Sequence, residues 1–250
     1  MQPAITVIDL KKRFDNDDIF DDISFEVKEG QIVAIVGPNG CGKSTILNIL
    51  SGIIEKYNGK FIIHNFDFLK FSYIFQNYRD SILPWKNNYD NIIFPLKLQK
   101  WKKQDIIKKM EEINEIFGII PSMKAFPYEM SGGQQQILAL MRALVNNPEI
   151  LFMDEPFSAL DYETTLNIRK NFQKYYLRYK PTVIIITHNI EEAVQLANKI
   201  IVLSKKPSRM ISVISNTAPY PRDIEFLKSA IFNKIKARVL TAFQKGANLC

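Results

Sequence analysis

The sequence predicts an α/β fold: a mainly parallel sheet, an N-terminal antiparallel β layer ahead of it and an α-helical subdomain inserted into it. Three observations carry this. The apolar runs at 31–36, 150–153 and 182–187 lack polar alternation, as strands buried on both faces do in parallel sheets. Alternation at Ile5, Val7, Ile23, Phe25 and Val27 marks half-buried strands in the first thirty residues. From 77 to about 127 the apolar spacing becomes three and four residues, as in helices.

With 250 residues, 46% of them apolar, the chain has ample material for a buried core. We expect one domain over 1–250, with 1–76 and 137–250 as its catalytic core and 77–136 as the helical subdomain. The net charge of +7 fits nucleic acid, an anionic membrane face or lysine-rich solvated helices. Scattered lysines, and a 101–117 stretch that mixes both signs, favour solvated helices. No apolar run reaches 18 residues, and Met1-Gln2-Pro3-Ala4 lacks a basic-then-apolar leader, so a cytosolic chain is expected. Two cysteines, Cys41 and Cys250, give little support for a structural disulfide.

In chain order, the first β layer ends in a turn at Glu29-Gly30. Phe14 lies between its strands; an exposed aromatic there would stack on adenine, but taken alone it reads as core. The strand at 31–36 runs into Gly37-Pro38-Asn39-Gly40-Cys41-Gly42-Lys43-Ser44-Thr45, which matches G-x-x-x-x-G-K-[ST], and an apolar helical pattern follows. Glycines allow successive N–H groups to face a phosphate, and the helix dipole points its positive end there. Lys43 would neutralise the β/γ-phosphates of a nucleotide, and the Ser44 hydroxyl would ligate Mg²⁺.

Short strands are expected at 59–63 and 72–75, the second ending at Gln76. The insert holds Leu83-Pro84-Trp85 and an amphipathic helix through Ile106, Met110, Ile113 and Phe117, ended by Gly118. Ser131-Gly132-Gly133-Gln134 opens the next helix with a serine cap, a second cradle for phosphate. One chain rarely needs two cradles for one phosphate; if both act on one nucleotide, two copies of the protein would supply them. Asp154 and Glu155 end the strand at 150–153, where parallel sheets bind ligands; Asp154 would serve Mg²⁺ and Glu155 would polarise a water. Ser158-Ala159-Leu160-Asp161 is expected to start a helix, and His188 stands at the end of the strand at 182–187. The tail carries strands near 200–203 and 210–214, then a helical stripe through Ile224, Leu227, Ile231, Ile235, Val239 and Phe243.

Taken together, these motifs resemble, in order and rough spacing, the ATPase subunits of ABC transporters, a P-loop ATPase fold. The resemblance implies that Phe14 stacks on adenine, that Gln76 touches Mg²⁺ and the attacking water, and that Ser131 and Gly133 bind the γ-phosphate held by a second subunit. It likewise implies Glu155 as general base, Asp161 as the residue coupling the two sites and His188 as the γ-phosphate switch. ATP and Mg²⁺ would be required. The implied partners are a second ATPase subunit, an integral membrane permease and, indirectly, an extracytoplasmic solute-binding protein, with no nucleic acid, and the chain itself would be peripheral at the cytoplasmic face of the inner membrane. A narrower likeness to nitrate, sulfonate and taurine importer ATPases rests on Leu83-Pro84-Trp85, Asp90-Asn91-Ile92, Glu191-Glu192-Ala193-Val194 and Tyr220-Pro221-Arg222-Asp223-Ile224. Departures are Ile137 where the family has arginine, Met130 where it has leucine, and a glycine-poor loop between Ile63 and Ser72. No appended regulatory domain is expected after residue 250. The alternatives to an importer subunit are a soluble ABC ATPase acting on ribosomes or DNA and an ATP-binding scaffold.

Overall fold

The computed structural model describes residues 2–64, 70–118 and 122–248. Met1, Cys250 and most of the glycine-poor loop before Ser72 lie outside the described residues. The chain forms two compact units, Met1–Phe66 with Thr182–Cys250, and Asp67–Pro181.

In the first unit, β1 (Pro3–Phe14) pairs antiparallel with β2 (Asp17–Lys28), through a turn in which Asp15 takes a positive φ of 47°. β3 (Ile32–Val36) leads to helix α1 (Lys43–Leu50), and β4 (Asn58–Ile63) closes the antiparallel layer on the far side of β1. The expected β layer is therefore present. β3 is buried along its whole length between two parallel neighbours, β7 (Thr182–Ile186) and β8 (Lys199–Leu203), which explains its unbroken apolar run. β9 (Met210–Ser215) returns antiparallel to β8.

Helix α6 (Ile190–Leu196) links β7 to β8, and α7 (Ile224–Lys228) and α8 (Ala230–Asn248) follow β9. The tail departs from the single stripe expected of it. Its helix breaks at Ser229, whose Oγ accepts the Phe232 N–H at 3.1 Å and so caps a new start. At the restart Phe232, 3% exposed, is buried in place of Ile231, 58% exposed, while Ile235 and Val239 are buried as expected.

The second unit holds β5 (Phe71–Ile74) parallel to β6 (Ile150–Asp154), with helices α2 (Asn88–Leu98), α3 (Lys103–Phe117), α4 (Gly132–Leu144) and α5 (Tyr162–Tyr179). Helix α2 packs on α4, and α3 on α5. Asn91 explains how the Leu83-Pro84-Trp85 loop is held. Fully buried in α2, it accepts the Leu83 N–H at 2.8 Å and donates to the Leu83 and Lys86 carbonyls at 3.0 and 2.9 Å. Trp85 is left 71% exposed on a loop tied at both ends.

A polar cluster joins α3 to α5. The buried Lys109 ammonium donates to Glu112 at 2.9 Å, Asn147 at 2.7 Å and Tyr179 at 3.1 Å, and the Tyr179 hydroxyl donates to Glu112 at 2.7 Å. The Lys109 bond first, and the Tyr179 bond next, hold the Glu112 carboxyl below its ordinary value. A carboxylate held low contributes stability that is complete above its unfolded pKa and is lost as pH falls through its folded one. Glu112→Gln is therefore expected to lower the urea midpoint at pH 7 and to flatten the loss of stability below about pH 4.5. Urea titrations of parent and variant across pH 3–7 check this; identical acid slopes would assign the cluster no such role.

Candidate functional site

In the first unit the phosphate loop fills the connection between β3 and α1. Gly42 caps α1 with φ 95°, a conformation that glycine reaches without strain. A Cβ here would also lie 2.5 Å from Ile19 Cγ2. Lys43 is 6% exposed, and its ammonium donates to the Gly37 and Pro38 carbonyls at 3.0 Å each, so the loop curls around its own lysine. The Cys41 N–H reaches the Pro38 carbonyl at 3.3 Å, and the buried Ser208 hydroxyl donates to the Cys41 carbonyl. In a trans peptide C=O and N–H point opposite ways, so a carbonyl held on the outside of the loop turns the next N–H inward. Ser44 and Thr45 stand half-buried in the first turn of α1. The Cys41 thiol is buried, and burial pushes its pKa up, so it is a packing residue and no nucleophile.

His188 leaves β7 at the same carboxyl end from which the phosphate loop leaves β3, since Ile35 pairs with Ile186 in a parallel ladder. Its side chain is exposed, and the Asn189 N–H next to it is held by Thr187 Oγ1 at 2.9 Å. Phe14 ends β1 with its ring 44% exposed and the Lys12 ammonium 4.1 Å from its centroid. It is no core residue; the twist-irregular end of β1 turns it to solvent.

In the second unit, Ile74 of β5 pairs with Met153 of β6, so Gln76 and the Asp154-Glu155 pair leave the same end of one parallel ladder. Gln76 is exposed and Asp154 buried. Burial first, and the Asp154 charge next, push the Tyr73 phenol upward, a sign of a carboxylate in a low-dielectric place. Glu155 takes a positive φ of 47°, a conformation that costs a side chain about 1 kcal/mol or more and that clusters at functional positions.

Ser131 and Gln134 form a reciprocal cap on α4: Ser131 Oγ accepts the Gln134 N–H at 3.3 Å, and Gln134 Oε1 accepts the Ser131 N–H at 2.9 Å. The serine proton stays available to donate. At Gly132 a Cβ would sit 2.8 Å from the Tyr78 hydroxyl, in the short turn (Tyr78–Ser81) that follows Gln76. Buried Gln136 accepts the Ala159 N–H at 3.1 Å, tying the 158–161 segment to α4. That segment lies ahead of its helix rather than in it, because Asp161 is the cap: its carboxylate accepts the Thr164 N–H at 2.9 Å and Oγ1–H at 2.7 Å, and these bonds hold it below the usual carboxylate range.

Two site-shaping residues escape sequence reasoning. Ser208 serves a carbonyl 167 residues away, and Tyr78 has no spacing signal that marks it as the neighbour of Gly132. A cavity of about 600 Å³ in the second unit, lined by Leu98, Trp101, Asn147 and Glu149 among others, opens near the amino ends of β5 and β6 and holds none of the candidate residues.

The ABC transporter family matches residues 20–158. The aliphatic sulfonates import ATP-binding protein SsuB of Bacillus cereus is 36% identical over 232 residues, which cover 91% of this chain and 89% of that protein. SsuB of Bacillus subtilis is 34% identical over 235 residues, covering 92% and 89%. A solved dimeric ATP-binding cassette, in a post-hydrolysis state bound to ADP and Pi, superposes with a TM-score of 0.74 at 26% identity, covering 86% of this chain and all of that one. Fold and phosphate loop together define an ATP-binding cassette, an ATPase. The chain belongs to the ABC transporter family.

Gly42→Ala is expected to weaken ATP binding about fivefold to 150-fold, since left-handed strain and the clash with Ile19 together cost about 1–3 kcal/mol. Fluorescent-nucleotide titration measures it; an unchanged affinity would show that the cradle does not depend on this backbone conformation.

Proposed function

We propose that this chain is the ATP-hydrolysing subunit of an importer for a small solute of the nitrate, sulfonate and taurine class, working on a separate membrane permease. The observation that carries the reading is the likeness to import ATP-binding proteins over nine-tenths of a chain that retains each phosphate-handling motif. Among the described residues no helix is long and apolar enough to cross a membrane, and peripheral attachment to a permease at the cytoplasmic face fits that. A solute-binding protein outside the cell would supply the cargo.

Each residue has a role that its setting supports. Phe14 offers an exposed ring to adenine. Residues Gly37 to Thr45 wrap the triphosphate with main-chain N–H groups, and Lys43 swings from its own loop's carbonyls to the β/γ-phosphates. The γ-phosphate is transferred to water: Glu155 accepts a proton from the attacking water, the bond from γ-phosphorus to the bridging oxygen breaks, and ADP and phosphate leave. Gln76 orients that water, and His188 donates to the γ-phosphate. Ser131, Gly132, Gly133 and Gln134 of a second copy present a capped helix N-terminus to the same phosphate, so two copies close on ATP, and Asp161 links the two sites.

Mg²⁺ would be held by Ser44, Gln76 and Asp154, hard oxygen donors suited to it. Bound there, it would neutralise charge that develops on the phosphate oxygens. Among the described residues no cluster of three or more His, Cys, Asp or Glu stands ready for a metal, which fits an ion that takes most of its oxygens from nucleotide and water.

Glu155→Gln is expected to cut turnover about 10²- to 10⁴-fold while leaving ATP binding intact. With Mg-ATP present it should run as a dimer in size-exclusion chromatography, reverting to monomer without nucleotide. Hydrolysis at the parent rate would overturn the assignment of the base.

A further inference from the structure

The Tyr220-Pro221-Arg222-Asp223 segment, singled out by sequence and absorbed by no role above, surrounds one end of α6. That helix has seven residues, so most of its main-chain polar groups are end groups that need outside partners. At its start Asn189 Oδ1 accepts the Glu192 N–H at 3.1 Å. At its end all four terminal carbonyls are served from the 216–222 segment. Val194 accepts from Asn216 Nδ2 at 2.7 Å and from Arg222 at 3.3 Å, and Leu196 accepts from the Tyr220 hydroxyl. Gln195 and Ala197 accept from the same Arg222 nitrogen at 3.4 and 2.7 Å.

Arg222 is 0% exposed, and its other nitrogens reach the Asn216 and Ala218 carbonyls while its guanidinium lies 4.3 Å from the Tyr220 ring centroid. A buried cation at the negative end of a helix is favourably placed, and a planar five-donor group fits several carbonyls at once, which an ammonium cannot do. Gln195 Nε2 returns a bond to the Arg222 carbonyl at 3.0 Å, and Asp223 caps α7 by accepting the Glu225 and Phe226 N–H groups. The motif thus bolts α6 to the start of the C-terminal helices.

We infer that Arg222 is a positioning residue for ATP hydrolysis: by fixing the far end of α6 it holds His188, two residues ahead of that helix, in place beside the phosphate loop. This rests on the switch role proposed for His188. α6 packs on β3, the strand that carries the loop, so a shift in α6 moves the histidine relative to the phosphates. The effect belongs to the hydrolytic step, since the hydrogen bonds that Arg222 makes to α6 and to the 216–218 segment lie away from the loop.

The test uses the full chain and steady-state Mg-ATP hydrolysis in four proteins: parent, Arg222→Lys, His188→Ala and the double variant. Arg222→Lys is expected to lower kcat about tenfold with ATP affinity within twofold, and to speed hydrogen exchange in the peptide spanning 188–197. In the His188→Ala background it should cause no further loss. An equal loss in both backgrounds would overturn the inference while leaving the histidine's role standing; a normal kcat in His188→Ala would sink the switch role and the inference with it. Should Arg222→Lys fold poorly, Tyr220→Phe, which removes the hydroxyl that bonds Leu196, runs in the same cycle. There a roughly threefold loss that vanishes without His188 supports the inference, and parent-like kcat overturns it.

Discussion

A loop that binds phosphate through its backbone must turn its N–H groups to the ligand, so its carbonyls have to find partners of their own, and the first unit is built around that demand. Lys43 takes the Gly37 and Pro38 carbonyls and Ser208 takes that of Cys41. Ile19 and Phe20 of β2 crowd Gly42, a loop position that must be glycine for both space and φ. The turn between β8 and β9 is drawn in as well: the Ser208 N–H bonds the Ile19 carbonyl at 2.9 Å, and Asp21 N–H bonds the Ser208 carbonyl at 3.1 Å. Antiparallel layer and hairpin therefore act as the wall behind the cradle.

The remaining candidate positions share a second logic, since they stand where regular elements end. Ser131 and Asp161 each cap a helix, Asp154 ends a parallel strand, and Gln76 and His188 each follow one. Ends are where main-chain groups lack intrahelical or ladder partners, so side chains that satisfy them are held rigidly, and spare donors are left for a ligand. Ser131 shows this: its oxygen accepts from Gln134 and its proton remains to give. Mobility at such sites would cost ordering free energy on each turnover.

Much of this was legible in the residues. The phosphate loop, the capped Ser131 helix, the acidic strand end and the buried strands all announce themselves through local spacing, because their physics is local. What stayed hidden depends on distant partners. Phe14 looked like core because alternation says nothing about where a β layer frays, and Phe232 is buried where Ile231 was expected because Ser229 restarts the helix, though Ile235 and Val239 keep to the stripe. The 158–161 segment leads into a helix as expected, but that Asp161 is its cap shows only in the structure. Ser208 and Arg222 carry no periodic signal at all; one acts across 167 residues and the other on carbonyls 25 to 28 residues back.

The claim at the centre of the account is that ATP held by this chain drives a membrane permease, and co-purification tests it most directly. The tagged full chain would be isolated from its native membranes with Mg-ATP present, and its companions identified by mass spectrometry. The account expects one multi-spanning permease in fixed ratio to the chain, together with its solute-binding protein encoded or captured alongside. Recovery of ribosomal, DNA-associated or other soluble partners alone would contradict it.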